Sequence, residues 1–273
     1  MNPATTRQNL PLGTGRVLAA IEDGIGWLTF NHPQRRNALS LDMWQAIAQA
    51  AHAFAQDAGV RVVVMHGAGG KAFASGADIS EFETQRANAE QKAQYGLIAA
   101  QGYQALARLD KPLIAMIDGY CVGGGLALAL TADLRLASET SRLGIPAARL
   151  GLGYDYEGLA TLARLVGPSV AKDMLFSARL LDAHEALRVG LVNRVLPPPQ
   201  LEPAVHDYAR SVAGNAPLTV RAAKAALRLF ENGAPAPDTH AIARLVEQCF
   251  DSEDYREGRR AFMEKRTPVF KGQ

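Results

Sequence analysis

Hydrophobic positions follow three rhythms along this chain. From Val17 to Phe30 (VLAAIEDGIGWLTF) two apolar runs flank Asp23-Gly24, a pair suited to the left-handed turn of a β-hairpin. From Ser40 the spacing changes. Leu41, Trp44, Ile47, Ala48, Ala51, Phe54 and Ala55 share one helical face, and Ser40 stands where an N-cap belongs. Short continuous apolar runs follow at Val60 to Gly67, at Lys111 to Gly119 and in DLRLASE from Asp133, which predicts buried strands. Between them KAFASGADI is predicted as loop. Residues 83 to 108, polar and alanine-rich, are predicted as helix, and GYCVGGGLALALTAD as a glycine turn entering an apolar helix.

Strand–helix alternation of this kind implies a mostly parallel sheet buried on both faces. After Gly167 the pattern turns helical. Asp182-Ala183-His184-Glu185 reads as a capping box for a short helix ended by Gly190. Residues 200 to 265 predict about three more amphipathic helices, separated by Pro197-Pro198-Pro199 and by GAPAP at 233–237. The expected organisation is a disordered lead-in over 1–14, an α/β core over 15–198 and a helical region over 199–273, without repeats.

Composition narrows the function classes. The chain has 273 residues, 48% hydrophobic and 21% charged, with a net charge of +2 and no Lys/Arg block, so no nucleic-acid surface is expected. Cys121 and Cys249 are far apart and in no metal-ligand spacing, and none of the six histidines has metal spacing, so no metal site is expected. No apolar run reaches the roughly 18 residues of a membrane span. The first 16 residues lack the apolar core of a signal peptide. A cytoplasmic protein with no membrane partner is the expectation.

Two loops carry candidate chemistry. Gly123-Gly124-Gly125 lies at a strand-to-helix junction, where first-turn N–H groups lack intrahelical partners and can face a developing oxyanion. A tight turn would need the same glycines. The loop Ala74-Ser75-Gly76-Ala77-Asp78 also follows a strand, and loops after neighbouring parallel strands end on one sheet edge. Ser75 lacks the G-x-S-x-G elbow of a nucleophile. Phosphate-loop readings fail, because Met65 replaces the first glycine of a P-loop and Tyr156 the last of G-x-G-x-x-G. A third stretch, LGLGYDYEGLATLARLVG from Leu150, sets Asp155 and Glu157 beside Tyr154 and Tyr156 at a loop-to-helix junction. These acids either cap the helix or do chemistry.

KAFASGADI, KPLIAMIDGYCVGGGLALALTADLRLASE, ALRVGLVNRVLP and YREGRRAFMEKRTPVF, in this order, resemble the crotonase (enoyl-CoA hydratase/isomerase) superfamily over roughly residues 15 to 270. The resemblance implies an α/β spiral of ββα units with a C-terminal helical trimerisation region, assembled as a homotrimer or dimer of trimers. It implies an acyl-CoA substrate, with coenzyme A as part of the substrate, no permanently bound cofactor, and a place in fatty acid metabolism. The family's two oxyanion donors fall on the N–H groups of Ala77 and Gly124. Arg36, Ala74 and Asp78 match positions that hold the nucleotide. Phe262 and Lys265 match closing-helix positions that reach coenzyme A, commonly from a neighbouring subunit.

The chain departs from the family where hydratases carry their two glutamates. These positions are Ala127, in G-G-G-x-A, and Ala147, after Pro146. Asp155 matches the position at which dienoyl-CoA isomerases hold an aspartate and aryl-CoA dehalogenases their nucleophile. The expected enzyme therefore stabilises a thioester enolate on Ala77 and Gly124, with Asp155, and secondarily Glu157, as the carboxylates. It is an isomerase or an atypical hydratase. Isomerisation, which needs one shuttling carboxylate, fits this inventory better. A hydrolase or dehalogenase with Asp155 as nucleophile and a non-catalytic acyl-CoA-binding member are the alternatives.

Overall fold

In the computed structural model, residues 7–81, 88–231, 233 and 238–273 are described. The apolar runs around Asp23-Gly24 form β2 (Val17–Glu22) and β3 (Ile25–Phe30), paired antiparallel, with both turn residues at positive φ (52° and 77°). Part of the expected disordered lead-in is ordered: Gln8–Leu10 forms β1, antiparallel to β2. Apolar Leu10 packs against the main core, which gives that short edge strand its anchor.

Beyond β3 the strands come in pairs. β4 (Val62–Gly67), β6 (Leu113–Ile117) and β8 (Leu134–Ser138) add in parallel to the hairpin. After a short turn each leads into a second strand, namely β5 (Ala72–Ala74), β7 (Tyr120–Val122) and β9 (Arg142–Gly144). With β10 (Leu181–Asp182) these make a four-stranded sheet, while β11 (Arg194–Leu196) completes a seven-stranded sheet in the order β1-β2-β3-β4-β6-β8-β11. The expected loop KAFASGADI and glycine turn GYCVGGG thus each begin with a three-residue strand. Strands that short leave no periodicity to read, and they form because their neighbours supply the ladder.

The parallel strands read as continuous apolar runs because both faces are covered. Leu28, Phe30, Val63, Met65, Ala115 and Ile117 face the main core, with Trp44, Ile47 and Phe54 of α1 (Leu41–Gln56). Alternate residues Ile25, Trp27, Val62, Val64, Ile114 and Met116 face Leu201, Val205 and Ala209 of a C-terminal helix. α1 is entered differently from expectation. Ser40 occupies the N-cap position, but its hydroxyl donates to Asp42, and the Leu41 N–H is taken by Glu81 at 3.0 Å.

The remaining helices are α2 (Ala89–Ala107), α3 (Gly124–Ala129), α4 (Tyr156–Ser177), α5 (Ala183–Arg188), α6 (Pro198–Ala213), α7 (Pro217–Glu231), α8 (His240–Asp251) and α9 (Glu253–Glu264). Residues 83 to 87 of the predicted first helix, and 234–237 of GAPAP, lie outside the described residues. α4 joins two helices across a break at Gly167 (φ 79°), followed by Pro168. Asp182 caps α5 as expected, accepting from Glu185 N at 2.8 Å. Four helices, α6 to α9, stand where about three were expected. Pro197-Pro198-Pro199 opens α6 rather than separating helices, since proline costs nothing in a first turn whose N–H groups lack partners. α7 is tied to the sheet by Lys224, which donates to Lys111 O and Asp133, both at 2.6 Å.

Candidate active site

The first donor loop is held by a segment that follows β3. Leu39 N donates to Gly76 O (2.8 Å) and Asp78 N to Leu39 O (3.0 Å), a one-residue parallel bridge between Leu39 and Ala77. In such a bridge the flanking residues make the bonds, so the Ala77 N–H points to the opposite side. Ser75 N is fixed as well, on Arg36 O at 3.1 Å. Asn37 anchors this segment from within. It is fully buried at φ 55°, accepts from His32 N (2.9 Å) and donates to Ala68 O (3.0 Å) and Ala72 O (2.7 Å). Sequence reading missed it. The available signal is that asparagine tolerates the left-handed region better than other side chains.

The three glycines of the second loop do three different things. Gly123 supplies a positive φ (57°) as N-cap of α3, and its N–H donates to Gly144 O at 2.8 Å. Gly125 permits contact between α3 and β5, since a Cβ there would stand 2.1 Å from Ala74 O. Gly124 admits a Cβ at ordinary contact distance, 3.6 Å from both Ala77 N and Tyr103 Oη. The Gly124 N–H precedes the hydrogen-bonded ladder of α3. Gly125→Ala is therefore expected to lose about 3 kcal/mol of stability, the upper end of overpacking costs, because a strand carbonyl cannot retreat. A thermal melt checks this, and an unchanged melting temperature would contradict the packing.

Two phenols on α2 brace both loops. Tyr95 Oη donates to Leu39 O at 3.2 Å, and Tyr103 Oη donates to Gly124 O at 3.1 Å. They stand two helical turns apart on one face. Sequence reading passed over them, although that spacing was visible.

The positions that carry glutamates in the resembled hydratases hold short side chains here. Ala127 lies on α3, with its N–H bonded to Gly123 O, and Ala147 is buried at the start of a one-turn 3₁₀ helix, Ala147–Leu150. Asp155 is the N-cap of α4 by position, but its carboxylate accepts no capping hydrogen bond. It is exposed, as is Glu157 in the first helical turn. Tyr154 is half-buried, packs against the main core, and places Oη 3.5 Å from where a Gly123 Cβ would stand. Of this stretch it is Tyr154 whose contact with the donor loops is resolved. Tyr156 is 79% exposed.

The remaining candidates divide. Arg36, at φ 51°, sets its guanidinium 5.2 Å from the centroid of the Tyr120 ring, beside the same loops. The Asp78 carboxylate is committed to its own turn, accepting from Ser80 N (3.0 Å) and Ser80 Oγ (2.7 Å), with Arg35 at 3.7 Å. Burial pushes its pKa up, but the Ser80 bonds and Arg35 together outweigh that and hold it below the usual range. Ala74 is fully buried, its carbonyl turned toward Gly125. Phe262 is 83% exposed. Among the described residues neither it nor Lys265 shares a hydrogen bond, ion pair or ring contact with the loop residues. The tail after α9 is tied instead to Arg61, which donates to Lys271 O at 3.0 Å just before β4, whereas the donor loops follow the far ends of the strands.

Two loops stand side by side at the ends of paired strands, one with the Ala77 N–H outside its bridge and the other with the Gly124 N–H ahead of its helical ladder. The sequence profile of the enoyl-CoA hydratase/isomerase family matches residues 20–273. The chain belongs to that family. It is 34% identical over 253 residues to the short-chain-enoyl-CoA hydratase of Clostridium acetobutylicum, covering 92% of this chain and 95% of the relative. To the carnitinyl-CoA dehydratase of Salmonella enteritidis it is 33% identical, covering 90% and 94%. Among solved structures it is similar to an enoyl-CoA hydratase/carnithine racemase from Magnetospirillum magneticum, with a TM-score of 0.91 at 38% identity, covering 96% and 97%. The fold is thus the crotonase fold, and the protein is an enzyme of the hydratase/isomerase type. No helix among the described residues is long and apolar enough to cross a membrane.

Proposed function

We propose that this enzyme binds an acyl-CoA thioester, holds the thioester oxygen between the N–H groups of Ala77 and Gly124, and uses the Asp155 carboxylate to move a proton at the carbon beside the thioester. The observation that carries this reading is the gap between the two loops. The Ala77 N–H is turned away from its bridge, and a Cβ on Gly124 would stand 3.6 Å from Ala77 N. Charge on an enolate oxygen there meets two fixed dipoles, which need no reorganisation as the charge develops. With alanine at 127 and 147, carboxylate chemistry falls to the 150–157 stretch. Asp155 is favoured over Glu157 because its carboxylate, at a cap position, makes no capping bond. One carboxylate that removes a proton and returns it to another carbon suffices for double-bond isomerisation. Hydration along this route is atypical, lacking the two glutamates. Arg36 and the main chain about Ala74 and Asp78 line the nucleotide end. Phe262 and Lys265 serve that end from a neighbouring copy.

A product scan tests the reaction. The enzyme is incubated with a panel of 2-enoyl, 3-enoyl, dienoyl and 3-hydroxyacyl thioesters of coenzyme A, and products are separated by chromatography. Interconversion of 2- and 3-enoyl thioesters is expected. An acyl group trapped covalently on Asp155 would instead establish nucleophilic chemistry.

A homotrimer, or a dimer of trimers, is also proposed. Leu227, Phe230, Phe250, Phe262 and Met263 lie exposed on α7, α8 and α9, more apolar surface than a monomer usually leaves in water. Light scattering is expected to give about three or six times the 29.2 kDa chain mass. A Phe230→Glu/Phe262→Glu variant is expected to fall toward one chain mass. A monomeric wild type would overturn this.

A further inference from the structure

We infer that Tyr154 contacts substrate in this site, its hydroxyl holding an oxygen on the β carbon of the acyl group, which adds hydration and dehydration of 3-hydroxyacyl thioesters to the proton chemistry proposed above. The inference rests on that reading of the two donors and goes beyond it.

The geometry is local. A Cβ on Gly123 would stand 3.5 Å from Tyr154 Oη and 3.8 Å from Gly76 Cα. A Cβ on Gly124, the next residue, would stand 3.6 Å from Ala77 N and 3.7 Å from Gly76 Cα. The phenol oxygen therefore sits beside the same glycine pair that frames the donors. It is also held there. Tyr154 packs on the main core, and α4, which starts two residues later, is anchored by buried Leu162 and Val166. A Cβ on Gly123 would only touch the phenol, and its φ of 57° disfavours a side chain there.

The chemistry follows from what the gap lacks. Hydration brings an oxygen to the β carbon, and that oxygen needs a polar partner. The alanines at 127 and 147 offer none, and Tyr103 Oη, which would stand 3.6 Å from a Gly124 Cβ, donates to Gly124 O. Asp155 is assigned to the carbon beside the thioester, and one carboxylate does not serve both carbons equally well. A phenol both donates and accepts a hydrogen bond, so in hydration Tyr154 holds the water whose oxygen bonds to the β carbon and passes the water's proton to the Asp155 carboxylate, which delivers it to the carbon beside the thioester; in dehydration the same transfers run backwards, and the β C–O bond breaks as water leaves. It does not suit a β carbon bearing only hydrogen, so double-bond migration has no use for it.

The test compares wild type with Tyr154→Phe in three assays. These are hydration of crotonyl-CoA and its reversal from 3-hydroxybutyryl-CoA, migration of the double bond in 3-pentenoyl-CoA, and binding of butyryl-CoA, which has no β oxygen. Melting temperatures are measured alongside. The expected result is a kcat for hydration and dehydration lowered about 10²-fold or more, the usual scale for a positioned proton-bearing group. Migration, butyryl-CoA affinity and melting temperature stay within about threefold, or within a degree or two, of wild type. Unchanged hydration in Tyr154→Phe overturns the inference. So does an equal fall in all three assays, the mark of a structural role, and so does a wild type that migrates double bonds without hydrating, which leaves the proposed function standing. A wild type that does neither reaction overturns both.

Discussion

A Gly124→Ala enzyme is expected to keep its fold and lose about two to three orders of magnitude in kcat/KM on acyl-CoA substrates, the range seen when one oxyanion donor is removed. Two adjacent glycines differ in what a methyl would meet. A methyl on Gly125 would meet Ala74 O at 2.1 Å, so that position tolerates no side chain. A methyl on Gly124 meets nothing closer than 3.6 Å, its φ is not in the left-handed region, and alanine is a better helix former than glycine. Stability therefore has no reason to fall. What the methyl enters is the gap beside Ala77 N, which a thioester oxygen would have to share. The measurement is steady-state kinetics beside a thermal melt. Full activity with an unchanged melt would show that the oxygen is held elsewhere.

Asp155→Asn is expected to lower kcat by about 10²- to 10⁴-fold, with a smaller change in KM. The substitution keeps the size and hydrogen-bonding reach of the side chain and removes its basicity. A cap role predicts something else, since asparagine caps a helix about as well as aspartate, so neither stability nor rate would move. The carboxylate makes no capping bond, which leaves little for asparagine to preserve. A companion Glu157→Gln variant is expected to stay within about threefold of wild type, an exposed first-turn acid interacting mainly with the helix dipole. Undiminished turnover in Asp155→Asn would remove Asp155 from the mechanism. Equal losses in both variants would mean the two acids act together.

The two loops of the candidate site were readable in the sequence. The proposed donors have a sequence signal because a main-chain anion site needs glycine or small residues at strand ends, and such residues stand at 76 and 123–125. The alanines at 127 and 147 were equally plain. Other features had no sequence signal of their own. β5 and β7 are three residues each and exist through their neighbours. Asn37 sits among polar loop residues, where asparagine's tolerance of the left-handed region is a weak mark and burial is what singles it out. Tyr154, Asp155, Tyr156 and Glu157 are four adjacent polar residues, and sequence cannot say which one folds inward. That depends on how α4 docks, a long-range property. Pro197-Pro198-Pro199 misled because prolines mark both a linker and a helix start, and only the apolar face of α6 against the sheet decides between them.

The spacing of the two donor loops is set by main-chain atoms, Leu39 against Gly76 and Asp78 on one side and Gly125 against Ala74 on the other. Tyr95, Tyr103 and Asn37 brace the loops through main-chain carbonyls, and the positions 127, 147 and 155 supply none of these braces. The proposed anion site, built this way, does not depend on which carboxylates surround it. Carboxylates at 127 and 147 can be lost, and a phenol or an aspartate brought in from 154 or 155, without retuning the hole. The frame behaves as a fixed socket, and the reaction becomes a matter of which side chains are turned toward it.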